Sequence, residues 1–227
     1  MADLEFLEKT DFSFEITGNA GRIEILPFID AESDRSRTLI ASFKVDSMEM
    51  IESARIPLKA GKNHVPFQQP VQIVKPLLWE PCSMPFLYHL TVVFHQAGEP
   101  VHSIDKDAGI RFVEADPGQS FRINGHDLEL VPVEPDFTSG GQNLNGNLVW
   151  LKDSDPELGM KLGCCGEWGL IGALELTGKT DPSRYAGHPG ICFFTAPPGS
   201  RGERLARDIS SVPFLSSDDL NFLLKRN

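Results

Sequence analysis

Leu78-Trp79-Glu80-Pro81-Cys82-Ser83-Met84-Pro85-Phe86-Leu87-Tyr88-His89-Leu90-Thr91-Val92-Val93-Phe94 carries the strongest structural signal in the chain. Pro76, Pro81 and Pro85 each fix φ near −65° and remove an amide donor, so the first half of this stretch is held extended and cannot enter a regular helix. The second half alternates. Tyr88, Leu90, Val92 and Phe94 make one wholly apolar face, and His89, Thr91, Val93 and His95 a mixed one, the period-two pattern of a strand lying on a core. Trp79, just ahead of that strand, is expected to close the edge of the same core.

The flanking sequence repeats the pattern in shorter runs. Residues 1–10 read as a loose lead-in. Phe12, Phe14 and Ile16 alternate, Gly18 to Gly21 turns, and Ile23 and Ile25 alternate again. A polar loop over Asp30 to Arg37 precedes Leu39, Ala41, Phe43 and Val45, which share one strand face. Ile51 to Leu58 and Val65 to Val74 add further short strands, broken by Gly61 and Pro70. With strands at Leu87 and Gly109 the total is about seven, the number of an immunoglobulin-like sandwich of ~100 residues. Asn124-Gly125 predicts a type I′ hairpin joining Phe121–Ile123 to Asp127–Val131, because both central residues of that turn need positive φ.

The totals exclude several function classes. Composition is that of an ordinary globular protein, 41% hydrophobic and 23% charged, and 227 residues suffice to bury a core. The net charge of −11 argues against nucleic acid, whose affinity comes from Lys and Arg on phosphates. No run of about 18 apolar residues is present, so no membrane span is expected. The amino terminus has no basic start and no apolar run, which makes the cytoplasm the default compartment, with export after removal of a leader left open. The four cysteines, Cys82, Cys164, Cys165 and Cys192, contain no C-x-x-C pair.

Three linked motifs resemble glycoside hydrolase family 2, the family of β-galactosidases, β-glucuronidases and β-mannosidases. Its immunoglobulin-like domain ends in a stretch similar to LWSPENPYLYTLTV, then a Gly-x-Arg strand, then a Phe-x-Ile/Leu-Asn-Gly hairpin. Here Leu78 to Val92, Gly109-Ile110-Arg111 and Phe121-Arg122-Ile123-Asn124-Gly125 keep that order. The resemblance implies that a (β/α)₈ barrel follows the sandwich. Two later stretches resemble barrel segments: Cys165 to Glu175 is similar to the third strand's C-D-E-x-G-L-x-V-x-x-E, and Gly187-His188-Pro189-Gly190-Ile191 to the N-H-P-S-I that opens the fourth.

The chemistry is expected to be absent. A complete barrel takes about 250 residues, and 102 follow Gly125. Retaining glycosidases need two carboxyl groups about 5 to 5.5 Å apart. The resemblance puts the acid/base Glu in an Asn-Glu pair closing the fourth strand. Counted from His188 that position is Pro198-Gly199, and the sequence contains no Asn-Glu dipeptide. The family's Arg-Gly-x-Asn after the hairpin is replaced by Val131-Pro132-Val133-Glu134.

No catalytic residue is therefore assigned, and Glu167 and Glu175, at acidic positions of the family's third strand, are the only carboxylates held in reserve for residual activity. Trp150 and Trp168, outside the sandwich and beside Gly or polar residues, are the carbohydrate-binding candidates, weighed against core packing. Trp79 and Tyr88 read as core. Arg111 reads as a structural pin on a neighbouring carboxylate. The six histidines, among them His89 and His95 on one strand face, show no metal spacing. Asp105-Lys106-Asp107 and Asp153-Ser154-Asp155 read as turns, and neither a metal nor a cofactor is expected.

The expected fold is mainly β: an immunoglobulin-like antiparallel sandwich over 8–116, followed over 117–227 by a small, reduced α/β or irregular region. That region holds a Gly/Asn/Ser-rich loop over Asp136 to Asn147, strands at Leu148–Leu151 and Ile191–Phe194, and a loop over Thr195 to Arg201. It ends in a helix capped by Ser216 to Asp219, with Lys225 and Arg226 at its end. The functional expectation is a non-catalytic module interacting with carbohydrate or protein. The alternative is a minimal or divergent glycoside hydrolase.

Overall fold

The computed structural model describes residues 4–81, 84–116, 120–138, 144–209 and 212–224, with the side chains of residues 84, 186 and 222 excepted. In chain order the elements are α1 (Leu4–Glu8), β1 (Asp11–Asn19), β2 (Arg22–Ser33), β3 (Arg37–Val45), β4 (Met48–Leu58), β5 (Gly61–Pro66), β6 (Val71–Val74), β7 (Trp79–Glu80) and β8 (Met84–Pro85). They continue as β9 (Tyr88–Gln96), β10 (Glu99–Ala108), β11 (Val113–Asp116), β12 (Ser120–Ile123), β13 (His126–Asp127), β14 (Leu148–Lys152) and α2 (Leu158–Trp168). The last are β15 (Ile171–Glu175), α3 (Ser183–Ala186), β16 (Ile191–Thr195), α4 (Arg201–Arg207) and α5 (Ser217–Leu224). The chain is mainly β and divides into two compact units, one of Met1–Pro76 with Tyr88–Ala108, the other of Leu77–Leu87 with Gly109–Asn227.

The first unit is an antiparallel sandwich. One sheet runs β1-β2-β5 with β6 also on β2, and the other runs β10-β9-β3-β4. Alternation places the core: Leu90, Val92 and Phe94 from β9 are buried with Ala41, Phe43 and Val45 from β3, and Ile23, Ile25 and Ile29 from β2 are fully buried. Three expectations are corrected here. The lead-in contains a helix, α1, which buries Leu7 and sets Phe6 under the Arg37 guanidinium, 3.9 Å from the ring centre. The polar stretch after Asp30 is largely strand, since β2 runs to Ser33. Asp105-Lys106-Asp107 is not a turn but part of β10, paired with β9.

The second unit is built on a parallel sheet, β14-β15-β16, with α2 and α3 as crossovers. Two single bridges widen it. Pro132 bridges Leu148 of β14, and Phe214 bridges Phe194 of β16, both in parallel sense. Five consecutive chain segments thus lie side by side in sequence order. The Asn124-Gly125 turn forms with φ of 54° and 80°, joining β12 to the short β13. The Gly-x-Arg segment carries no strand; pairing resumes at β11.

Trp79 belongs to the second unit. It is fully buried with Phe121, Ile123, Leu130, Ile171 and Phe193, and its Nε1 donates to the Gly166 carbonyl at 2.8 Å. That carbonyl lies in the last turn of α2, where no intrahelical amide reaches it, so the indole acts as its cap. Close approach explains Gly190: a Cβ there would stand 2.4 Å from the Leu162 carbonyl oxygen of α2. Arg111 does pin a loop, but through carbonyls rather than a carboxylate: it donates to Gly109 at 3.1 Å, His188 at 2.9 Å and Ile191. At the carboxyl end, Ser216 and Asp219 exchange hydrogen bonds as a capping box for α5. Lys225 and Arg226 lie outside the described residues, as does Cys82.

Candidate functional site

The two faces of the parallel sheet have different fates. Val149, Leu151, Leu174 and Phe194 point to α2 and α4, where Leu158, Leu162, Cys165 and Ala206 complete one core. Leu148, Ile171, Ala173 and Phe193 point the other way, under Trp79, Phe121, Ile123, Leu215, Leu220 and Leu223. On that second face burial stops part-way along β14. Leu148 is 0% exposed and Trp150, two residues on, is 46% exposed.

Register sets the neighbours of Trp150. Ala173 and Phe193 continue its row across β15 and β16, and the next row is Lys152, Glu175 and Thr195. Lys152 Nζ lies 3.6 Å from a Glu175 carboxylate oxygen, with the two side chains 65% and 36% exposed. An open aromatic ring beside hydrogen-bonding groups at the carboxyl ends of parallel strands is the placement in which α/β proteins hold small ligands.

The other sequence candidates fall elsewhere. Trp168, at the end of α2, is half-buried and stacks on Phe137 with ring centres 5.8 Å apart. Glu167 is exposed on α2, the helix that covers the first face, whereas Glu175 follows Ala173 on the second. Glu167 lies on α2 just before β15 begins and Glu175 ends that strand, so the length of β15, five residues of about 3.3 Å each, lies between them. Trp150 and Glu175 are the two candidates brought together.

Several polar groups were not foreseen. Lys152 and Thr195 stand at strand ends, where a polar residue closing an apolar run was the available signal. Asp153, next along, is 8% exposed, and neither carboxylate oxygen has a hydrogen-bond partner, an arrangement that costs stability. A separate cavity of about 180 Å³ is lined by Glu80, Pro81, Ile123, Asn124, His126 and Leu128. Its Asn124 is already committed, donating to the Trp79 carbonyl at 3.0 Å and accepting from the Phe112 amide at 3.0 Å.

Among the described residues, the thiols of Cys164, Cys165 and Cys192 are not poised for chemistry. Burial first, then the neighbouring Cys164 and Cys192, push the Cys165 thiol up to about 12. Burial likewise raises Cys192, against the lowering effect of Arg111, and burial followed by Glu167 raises Cys164. Among the described residues no cluster of three His, Cys, Asp or Glu side chains is arranged to hold a metal, and no helix is long and apolar enough to cross a membrane.

The sandwich has known counterparts. The family model "Glycosyl hydrolases family 2" matches residues 29–111. A β-glucuronidase of Bacteroides fragilis is 35% identical over 82 residues, which are 36% of this chain and 12% of that protein. Among solved structures, an exo-chitosanase of Amycolatopsis orientalis superposes with a TM-score of 0.71 at 16% identity, over 92% of this chain and 32% of the other. A glycosyl hydrolase family 2 member from Bacteroides cellulosilyticus gives 0.70 at 12% identity, over 96% and 36%. At those identities the two structures speak for the fold alone, and the chain spans between about an eighth and a third of the length of the proteins it matches.

Proposed function

We propose that this chain is a non-catalytic carbohydrate-interaction module related to family 2 glycosidases, holding sugar on the exposed indole of Trp150. The observation that carries the reading is the 46% exposure of Trp150 in a strand whose other apolar residues are buried. A core would have taken the indole in; an exposed ring loses about 1.5–3 kcal/mol of burial, and aromatic faces stack on the apolar faces of pyranoses. Lys152 and Glu175, one row on, supply a donor and an acceptor for sugar hydroxyls.

The non-catalytic half of the reading rests on the carboxylates. Glu167 and Glu175 lie at opposite ends of β15, and Pro198-Gly199 occupies the place at which the family resemblance expects an acid/base Glu. A divergent hydrolase is the second reading, favoured by the activities named for the B. fragilis and A. orientalis relatives. Titrating the chain with oligosaccharides while following tryptophan fluorescence, alongside a panel of aryl glycosides, separates the two. Saturable binding that disappears in Trp150→Ala, with no turnover, is expected. Turnover that vanishes in Glu167→Gln or Glu175→Gln refutes the binding-module reading.

A further inference from the structure

We infer that Asn145 is a site of spontaneous modification, where deamidation to isoaspartate loosens the clamp that Asn147 sets between residues 129–131 and β14. The site stands whether or not Trp150 meets a sugar. Asparagine followed by glycine is a labile pair, because no Cβ on the glycine shields its amide nitrogen from the asparagine carboxamide. The chain has two such pairs, Asn124-Gly125 and Asn145-Gly146, and the fold treats them oppositely. Asn124 is fastened at both ends of its carboxamide, donating to the Trp79 carbonyl at 3.0 Å and accepting from the Phe112 amide at 3.0 Å, so its Cγ is held away from the Gly125 nitrogen. Asn145 is exposed, and among the described residues no hydrogen bond holds its carboxamide or the Gly146 amide.

The reaction needs only water. The Gly146 nitrogen attacks Asn145 Cγ, the new N–C bond forms as the Cγ–Nδ2 bond breaks, and ammonia leaves with the amide proton. Water then opens the succinimide at one of its two carbonyls. Opening at Cγ gives aspartate; opening at the main-chain carbonyl gives isoaspartate, which routes the backbone through Cβ and Cγ and lengthens it by one carbon. The chain has little slack for that here. A Cβ on Gly146 would stand 2.7 Å from the Val131 carbonyl oxygen and 2.9 Å from that of Pro132, so the close crossing that demands glycine also leaves Asn145 unshielded. Asn147 follows, buried. Its side chain accepts from the Val131 amide at 2.8 Å and donates to the Glu129 carbonyl at 2.8 Å. Its own amide donates to the Val131 carbonyl at 2.8 Å, and its carbonyl accepts from the Ile171 amide at 2.7 Å. An added backbone atom between Asn145 and Gly146 displaces this residue, and buried groups that lose their partners destabilise the fold.

The test is ageing of the whole chain in mildly alkaline buffer, followed by peptide mapping with mass spectrometry and by labelling with an isoaspartyl methyltransferase. Residues 123–152 form one tryptic peptide that carries both Asn-Gly pairs, and its fragment ions locate the exchange of NH2 for OH. In the folded protein Asn145 is expected to convert at least about tenfold faster than Asn124, the factor that one hydrogen bond of ordinary strength represents. In urea the two rates should draw together. The aged protein should take up methyl label at 145, unfold at lower denaturant and exchange amide hydrogens faster across 145–152. Asn145→Gln, whose longer side chain would have to close a larger ring, should stay unmodified and keep both properties on ageing. Freshly prepared Asn145→Asp, which adds the charge without lengthening the backbone, should unfold as the fresh wild type does. Asn124 converting as fast as Asn145 in the folded protein, or Asn145 surviving under conditions that convert the urea-unfolded chain, overturns the site. Isoaspartate at 145 with an unchanged midpoint and unchanged exchange overturns its coupling to Asn147.

Discussion

Trp79→Phe should destabilise the second unit although it lies well upstream of that unit's parallel sheet. Two effects add. The Gly166 carbonyl of α2 loses its donor, now at 2.8 Å, and a buried acceptor left unpaired costs about 1–3 kcal/mol. Shrinking a fully buried indole to a phenyl ring removes contact with Phe121, Ile171 and Phe193 and adds about 1–2 kcal/mol. The Arg111 guanidinium, 5.5 Å from the ring, keeps an aromatic face and is not counted. The expected loss is about 3 kcal/mol, read by far-UV circular dichroism in guanidinium with hydrogen exchange on peptides covering α2 and β9. Exchange should rise in α2 and stay unchanged in β9. A loss below about 1 kcal/mol, or faster exchange confined to β9, refutes the assignment of Trp79 to the second core.

Other variants probe separate pieces of the argument. Gly190→Ala forces a Cβ to within 2.4 Å of the Leu162 carbonyl oxygen, and overpacking should cost about 1–3 kcal/mol in a denaturant titration. Asp153→Asn should raise the unfolding midpoint, since the carboxylate is buried with no partner and the neutral amide is cheaper to bury. His89 donates to Asp107 at 3.0 Å and lies 3.3 Å from Asp105, and the Asp107 bond, then these charges, raise its pKa above 6.5 against desolvation. Its contribution is fully present below the unfolded value and is lost as pH rises through the folded one; at half exposure it amounts to less than about 1 kcal/mol. Unfolding midpoints compared at about pH 5.5 and about pH 8.5 should show this drop in the wild type and not in Asp107→Asn. With its thiol pushed up to about 12, Cys165 should resist iodoacetamide in the folded protein and react only on unfolding.

The sandwich was readable because its information is local. Each strand of the first unit alternates, and period two survives wherever one face is buried and the other wet, as β9 shows from Tyr88 to Phe94. Two places escape that local pattern, each for its own physical reason. β10 runs Glu99–Ala108 through Asp105, Lys106 and Asp107, and its charges lie on an edge strand where water solvates them. Sequence shows only a charged run there; the pairing that makes it a strand is supplied by β9. Trp79 slipped for a different reason. Its neighbours in sequence belong to the strand that follows, but its hydrogen-bond partner is 87 residues away, a distance over which no periodicity speaks.

The parallel sheet was the hardest part to read, and its physics says why. Strands buried on both faces lose alternation: Ile171-Gly172-Ala173-Leu174 and Ile191-Cys192-Phe193-Phe194 are apolar throughout and buried throughout. Such runs reveal a strand without revealing which residue faces which layer, so the two acids held in reserve could not be placed. Only register does that. Counting from Ile171 and Ala173 puts Glu175 beside Lys152 at the strand ends, while Glu167 rides on α2. For Trp150 sequence could offer only a candidate, since a large aromatic amid Leu148, Val149 and Leu151 is unremarkable in a core, and its exposure is what marks it as a site. The functional claim therefore stands on the one residue of that strand for which the buried and the ligand-facing interpretations predict opposite exposures.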